Sequence, residues 1–444
     1  MTIKNLKALI EKCPQAQHKI PLRKFSGRAI AIDTSCWVYA NKGVIQSSII
    51  KSMSNIVDEE VDQHLVRKGL YQQFKNYINK FLNYGITPIC IFDGIPPEKK
   101  KLVQEKRGNI RQERRDKIKS YKELLLSQDP LNRDPHIIEK LRKEMCNDCR
   151  PNSGDFDDLK FILSSVGIPW FQANQEAEQL CSVLARRYRA AAVYSTDTDN
   201  IAHRCPYWIR SMEHNILNPD TGEKETYINF INYQELIEGL GVTPDQLTEI
   251  CILAGCDYNV NIKNRGVLKA YDAIKKYGCY ANLPAEWHDE CLNFEYCWQQ
   301  FQQNDFNEMT EGDTKDLCVK METLSESREV LSQYNLESWI NQLNHIYQYL
   351  PTPQIGYTFN PTAKPIKIKI GTNVINTSQS KSAPVIPAYN KPIIKQVPVK
   401  SSVNLQDNVE WMQKMANVDY ASSSSEQKSV DKELAQDMQD FIIL

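Results

Sequence analysis

The sequence predicts an α/β fold built on a parallel sheet, and three observations carry that reading. Short apolar runs recur along the chain, segments of helical periodicity separate them, and three of the runs stop on or just before an acid. Strands that alternate with helices form parallel sheets with crossover connections. In such sheets ligands bind beyond the carboxyl ends of the strands. Acids that follow strands ending at Ile32, Phe92 and Tyr194 are therefore expected along one edge. The 444 residues leave room for two or three domains, taking about 150 residues for each.

Residues 1–26 read as a short amphipathic helix (Ile3, Leu6, Leu9, Ile10) and a linker to Phe25 and Gly27. Arg28-Ala29-Ile30-Ala31-Ile32-Asp33 reads as a strand closing on an acid, with Thr34-Ser35 available to cap the helix that carries Trp37, Val38 and Tyr39. A second helix over about 65–84 has Leu70, Phe74, Tyr77, Ile78 and Phe81 on one face. The run from Thr87 to Asp93 is another buried strand, broken at once by Gly94 and Pro96-Pro97. Residues 98–122 then hold eleven Lys or Arg against four acids. That is either the solvated face of a helix or the footprint of an anionic partner.

A polar segment of low periodicity continues to about Pro151, followed by a helix near 155–166 and a strand at 168–171. Glu176-Ala177-Glu178 opens a helix, where acids meet the positive end of the dipole. Ala191-Ala192-Val193-Tyr194 leads to Asp197-Thr198-Asp199, and two acids two apart on extended backbone point the same way. Helix-start glutamates and surface aspartate pairs are also common without any function. Thr243-Pro244 caps a helix through Leu253, and Gly255-Cys256-Asp257-Tyr258 ends it with a seventh acid. A turn at 261–266 and a helix at 267–277 read either as an ordinary hairpin or as a phosphate site on the second helix. Residues 280–350 look helical, with Trp287, Trp298 and Trp339 packing. Beyond Pro351, prolines and the serines at 422–425 indicate a flexible tail.

The net charge is −1, so any nucleic-acid partner has to be inferred from charge distribution rather than total. Thirteen scattered cysteines indicate a reducing compartment, and Cys146-Asn147-Asp148-Cys149, lacking a second ligand pair, reads as free thiols. No apolar run suggests a membrane span.

Five ordered blocks then resemble the flap endonuclease (XPG-type) family of structure-specific nucleases over residues 1 to about 345. They are Ala31-Ile32-Asp33-Thr34-Ser35, Phe92-Asp93-Gly94-Ile95-Pro96-Pro97, Glu176-Ala177-Glu178, Ser195-Thr196-Asp197-Thr198-Asp199 and Gly255-Cys256-Asp257-Tyr258. The resemblance implies a PIN-like nuclease core with a helical arch and a helix–two-turn–helix DNA-binding region. It divides the chain into nuclease regions at 1–109 and 151–277, an arch insertion at 110–150, a helical end of the core at 278–350 and the tail at 351–444.

It implies Mg²⁺-dependent phosphodiester hydrolysis of flapped or branched DNA, endonucleolytic with 5′–3′ exonuclease activity, in replication, repair or recombination and in the nucleus. Asp33, Asp93, Glu176 and Glu178 would hold one Mg²⁺, and Asp197, Asp199 and Asp257 a second, with Mn²⁺ able to substitute. Lys100 and Arg107 would neutralise charge on the scissile phosphate. Tyr39 would stack on a terminal base, with a core-facing ring as the alternative, and Gly266 and Lys269 would grip duplex phosphates beside a K⁺ ion. The chain departs from the family at Thr2, Asn264 and Val267, where the family has Gly, Gly and Pro. The last residues resemble a sliding-clamp docking peptide incompletely, with Ala435 for Gln and Ile442 after Phe441. A monomer is expected. Bubble or four-way-junction substrates, and a silent nuclease-like binding module, stay open as alternatives.

Overall fold

The computed structural model describes residues 3–187, 189–219, 222–302, 328–350, 368–370 and 373–375. The expectations for Thr2, for the clamp-like terminus and for most of the tail lie outside these residues. Among the described residues the main sheet has seven strands in the order β1-β7-β6-β5-β2-β3-β4. They are β1 (Gln17–Pro21), β2 (Ala29–Asp33), β3 (Thr87–Phe92), β4 (Trp170–Gln172), β5 (Ala192–Tyr194), β6 (Tyr207–Leu217) and β7 (Lys224–Asn232). Strands β6, β5, β2, β3 and β4 run parallel. From β2 the chain builds outward through β3 to β4, then returns to lay β5 and β6 on the other side. The order therefore reverses between β2 and β5, the switch point at which open α/β sheets bind ligands.

The sheet is mixed rather than wholly parallel, because β7 pairs antiparallel with both β6 and β1. Residues 17–21, expected as linker, are thus an edge strand, and Pro21 sits at its end, where a missing N–H costs least.

The helices are α1 (Leu6–Ile10), α2 (Thr34–Ser52), α3 (Gln63–Asn83), α4 (Lys101–Leu126), α5 (Pro135–Asn147), α6 (Ser153–Ser165), α7 (Ala177–Arg186), α8 (Asp199–Ala202), α9 (Tyr233–Leu240), α10 (Pro244–Ala254), α11 (Val267–Tyr277), α12 (Phe294–Gln302), α13 (Arg328–Gln333) and α14 (Glu337–Tyr347). A continuous core joins Ala31 and Val193 of the sheet to Leu184 of α7, Leu253 of α10 and Ile274 of α11, with Trp287 within it and Trp298 packed against it. Trp339 is fully buried, and its indole N–H donates to Asn79 of α3. None of the described helices is long and apolar enough to cross a membrane.

The basic run is α4, and the expected junction between 109 and 110 lies inside that helix. Glu, Lys, Arg and Gln are strong helix formers whether or not they bury anything. With α5 it makes a hairpin arm that carries a small core of its own. Leu125, Leu141 and Met145 pack on Ile50 of α2 and on Ile56 and Val57 just beyond it. Arg133 forks onto Asp58 (2.8 and 3.2 Å), and Arg142 donates to the carbonyl of Ile50.

Candidate active site

Strand β2 ends on Asp33, which is 1 % exposed. Its Oδ1 accepts the Cys36 N–H (3.0 Å), so Asp33 itself is the N-cap of α2. Thr34 and Ser35 are helical, contrary to the expected cap. A side-chain carboxylate already placed at the strand end satisfies the first-turn donor, leaving the hydroxyls for other partners. The Ser35 hydroxyl accepts the N–H of Asp93 at 3.0 Å, locking together the ends of the neighbouring strands β2 and β3.

Asp93 lies on the rim, open to solvent. Its Oδ1 accepts the N–H of Ala177 (2.9 Å), which binds it to the first turn of α7. Gly94 beside it donates to the carbonyl of Gln175 at 2.6 Å. A Cβ at Gly94 would stand 2.0 Å from the Ala173 oxygen and 2.4 Å from that of Asn174, so only glycine allows this backbone crossing.

Glu176 and Glu178 are each 5 % exposed at the start of α7. Glu176 takes a hydrogen bond from Lys100 and another from the Tyr258 hydroxyl, the latter at 2.5 Å. Past β5, the Ser195 hydroxyl donates to Asp33 Oδ2 (2.9 Å) and accepts the N–H of Asp197 (3.0 Å). Asp197 Oδ1 in turn accepts the Asp199 N–H, and Asp199 Oδ1 accepts the N–H of Ile3, both at 3.0 Å. Asp257, delivered by the end of α10, is 2 % exposed and lies 3.4 Å from the Lys100 ammonium and 3.3 Å from Arg107.

Ser195 thus joins Asp33 to Asp197 and through it to Asp199, while Ser35 and Ala177 tie down Asp93. Lys100 and Arg107 join Glu176 and Asp257, with Glu178 buried in the first turn of α7 under the charges of Glu176, Lys100, Asp197 and Asp33. Burial and the neighbouring carboxylates shape their protonation. Burial first, then Asp93, pushes the Asp33 carboxyl up to about 6. Burial and Glu176 push Glu178 well above the usual range, as burial and Asp197 do Asp199. The surrounding protein and Glu176 also raise Asp93, an effect that counts for less where water reaches the side chain. Burial works upward on Glu176 and Asp257 too, but Lys100 overrides it at Glu176, Lys100 and Arg107 are among the positive charges that lower Asp257, and both acids end below their ordinary values. Lys100 is held well above its ordinary value, its own burial outweighed by Glu176, Glu178 and Asp257. Among the described residues no three acids close on one point as a ready-made ion cage. The Lys100 ammonium stands between Glu176 and Asp257 instead.

The DNA-binding candidates lie apart. Tyr39 is 45 % exposed, its ring 6.0 Å from that of Phe156, so the core-facing alternative does not describe it. Asn264 adopts φ 64°, the left-handed geometry that asparagine tolerates, and the turn survives the missing glycine. Gly266 caps α11 in extended geometry, and Val267 is buried where the family has proline. With the exposed Lys269, these residues line a hollow of about 510 Å³ shared with Asn5, Lys7 and Glu11 of the first helix.

Comparisons with known proteins place the chain in a family. Residues 1–114 match the XPG N-terminal domain, and residues 167–257 match the XPG I-region. Flap endonuclease 1 of Lodderomyces elongisporus is 31 % identical over 285 residues, covering 64 % of this chain and 68 % of that protein. The chain belongs to the flap endonuclease/XPG family. Flap endonuclease 1 of Glycine max is 29 % identical, with 65 % of this chain and 70 % of that one covered. Flap endonuclease 1-B of Oryza sativa is 31 % identical, and there the match spans 62 % of the relative, less than two thirds. Among solved structures, flap endonuclease-1 from Methanococcus jannaschii shares 18 % identity at a TM-score of 0.44, covering 75 % of this chain and 96 % of that one.

In this family member, Tyr258 and Ser195 hold acids in place, and sequence reasoning assigned neither a role. Both stand within the blocks that carry the resemblance, Tyr258 directly after Asp257 and Ser195 two before Asp197. That adjacency was the available signal.

Proposed function

We propose that the chain is a divalent-metal-dependent, structure-specific DNA endonuclease of the 5′-flap type, with 5′–3′ exonuclease activity. The observation that carries the reading is the gathering of seven carboxylates at strand ends and at the ends of the helices beside them, with Lys100 and Arg107 set among them as partners of Glu176 and Asp257. Buried carboxylates pushed upward by one another fit hard cations bound through oxygen, which is the donor chemistry of Mg²⁺ and Mn²⁺. Asp33, Asp93, Glu176 and Glu178 would hold one ion and Asp197, Asp199 and Asp257 another. Bound there, the ions supply an activated water and charge neutralisation at the phosphate.

The chain's own side chains do the positioning. Ser195 fixes Asp33 and the backbone of Asp197 together, while Tyr258 and Lys100 fix Glu176. Arg107 keeps a buried Nε–H with no acceptor among the described residues, a donor aimed at an incoming phosphate oxygen. Tyr39 stacks on a base near the cut, and Gly266 and Lys269 hold duplex phosphates, with K⁺ at the turn. The enzyme acts as a monomer on nuclear DNA.

The test incubates the purified protein with labelled flap, bubble, four-way-junction and RNA substrates, with Mg²⁺ or EDTA. Mg²⁺-dependent cutting of flaps is expected. No cutting of any branched DNA would refute the enzyme.

A further inference from the structure

We propose that the chain carries an oxyanion pocket that takes phosphate, formed by Arg186, Arg204 and Tyr233 at the end of α7 opposite Glu178. The location follows from two helices. Arg186 is the last residue of α7, whose first turn holds Glu178, and ten residues of helix span about 15 Å. Helix α10 repeats the separation: Asp245 in its first turn pairs with Arg204 at 2.6 Å, while its other end leads to Asp257. The Tyr233 N–H bonds to the carbonyl of Pro206 (3.0 Å), which brings the start of α9 against the turn that carries Arg204.

What marks the place is donors without acceptors. Arg186 Nε and Nη2, Arg204 Nε and the Tyr233 hydroxyl are all shielded from solvent, and none meets a hydrogen-bond partner among the described residues. Tyr233 as a whole is 6 % exposed. Buried polar groups are nearly always satisfied, by protein, water or ligand. Arg204 is moreover held in the left-handed region at φ 57°, a backbone cost for any residue but glycine, asparagine or aspartate.

The charges point the same way. Arg186 is lowered first by burial and then by the like charge of Arg204, with Arg187 adding to it. Asp245 answers only Arg204, through Nη2, and its own side chain is 65 % exposed. A cation in the last turn of α7 does favour the helix dipole, but that leaves Nε and Nη2 unbonded. A tetrahedral oxyanion has enough lone pairs for two guanidinium groups and a hydroxyl, and such charge-assisted bonds are the strong ones. Since Arg186 stands about a helix length from Glu178, the anion it holds is not the phosphate being cut. The phosphate is either free or carried by a mononucleotide.

Isothermal titration of the full chain in EDTA, at fixed ionic strength, tests this with inorganic phosphate and separately with deoxyadenosine monophosphate. Saturable binding of one phosphate per chain is expected, weakened about tenfold or more in an Arg186→Gln, Arg204→Gln double variant. Equal binding of the nucleotide would identify its phosphate as the source, and failure of the nucleotide alone would identify the free anion. No saturable binding of either probe, or unchanged affinity in the double variant, overturns the proposal. Should that variant not fold, Tyr233→Phe decides, since it removes only the hydroxyl: weaker binding supports the pocket and unchanged binding overturns it.

Discussion

Replacing Tyr258 with Phe should weaken the enzyme's response to Mg²⁺ while leaving its fold intact. The ring stays 4 % exposed among the same neighbours, so no cavity forms. What goes is the hydroxyl donor 2.5 Å from Glu176 Oε2. Glu176 is 5 % exposed, so water cannot replace the lost bond, and only Lys100 still donates to it. A hydrogen bond to a charged group contributes about 1.5 to 3 kcal/mol. Its loss removes one of the two hydrogen bonds that hold Glu176 below its ordinary value, the larger effect being that of Lys100. Groups that orient an ion's ligands typically contribute about 10- to 100-fold in affinity. The assay is initial cleavage rate against Mg²⁺ concentration at pH 7, with the thermal midpoint measured alongside. The half-saturating concentration should rise about tenfold or more. A Mg²⁺ curve identical to that of the native protein would refute the positioning role.

Gly94→Ala should cost about 3 kcal/mol or prevent folding, because the added Cβ meets two backbone carbonyls rather than movable side chains; chemical denaturation reads the loss, and native stability would contradict the crossing. Without metal, stability should fall as pH rises from about 4 through 6, since Asp33 is raised to about 6 and the native state holds a proton that the unfolded chain has released. That one group accounts for up to about 3 kcal/mol, and added Mg²⁺ should remove the decline in thermal midpoint; a midpoint that rises with pH in EDTA would contradict it. Replacing Lys100 and Arg107 with Ala should slow single-turnover cleavage by about a hundredfold or more. A change in substrate affinity alone would make them anchors.

The centre of the fold was legible because its strands are short, apolar and buried on both faces. Ile30 to Ile32, Ile89 to Phe92 and Ala192 to Tyr194 announce themselves, and an acid at the end of each points to the ligand edge. Strands β6 and β7 were not legible. Tyr207–Leu217 mixes half-buried polar residues with apolar ones, and two register shifts against β7 disturb its alternation. The arm looked aperiodic because α4 buries little apart from Leu125, so its helix rests on propensity rather than on an apolar stripe. Partners such as Tyr258 and Glu176, 82 residues apart, cannot be matched from spacing at all. The seven acids were visible individually; that Lys100 stands among them rather than above them is a fact of packing.

The arm's private core sets how the molecule comes apart. Residues of α4 and α5 hold to the body through a handful of apolar side chains, the Arg133–Asp58 fork, Arg142 on the Ile50 carbonyl and Arg107 on Asp257, separately from the large core around α7 and α10. A segment tied down by so little opens locally at a fraction of the free energy of global unfolding. Amide hydrogens in the arm should therefore exchange with solvent long before those of β2 and β3, in a regime that Arg133→Ala alone would accelerate. The basic helix would then swing as a cooperative unit on an otherwise rigid sheet.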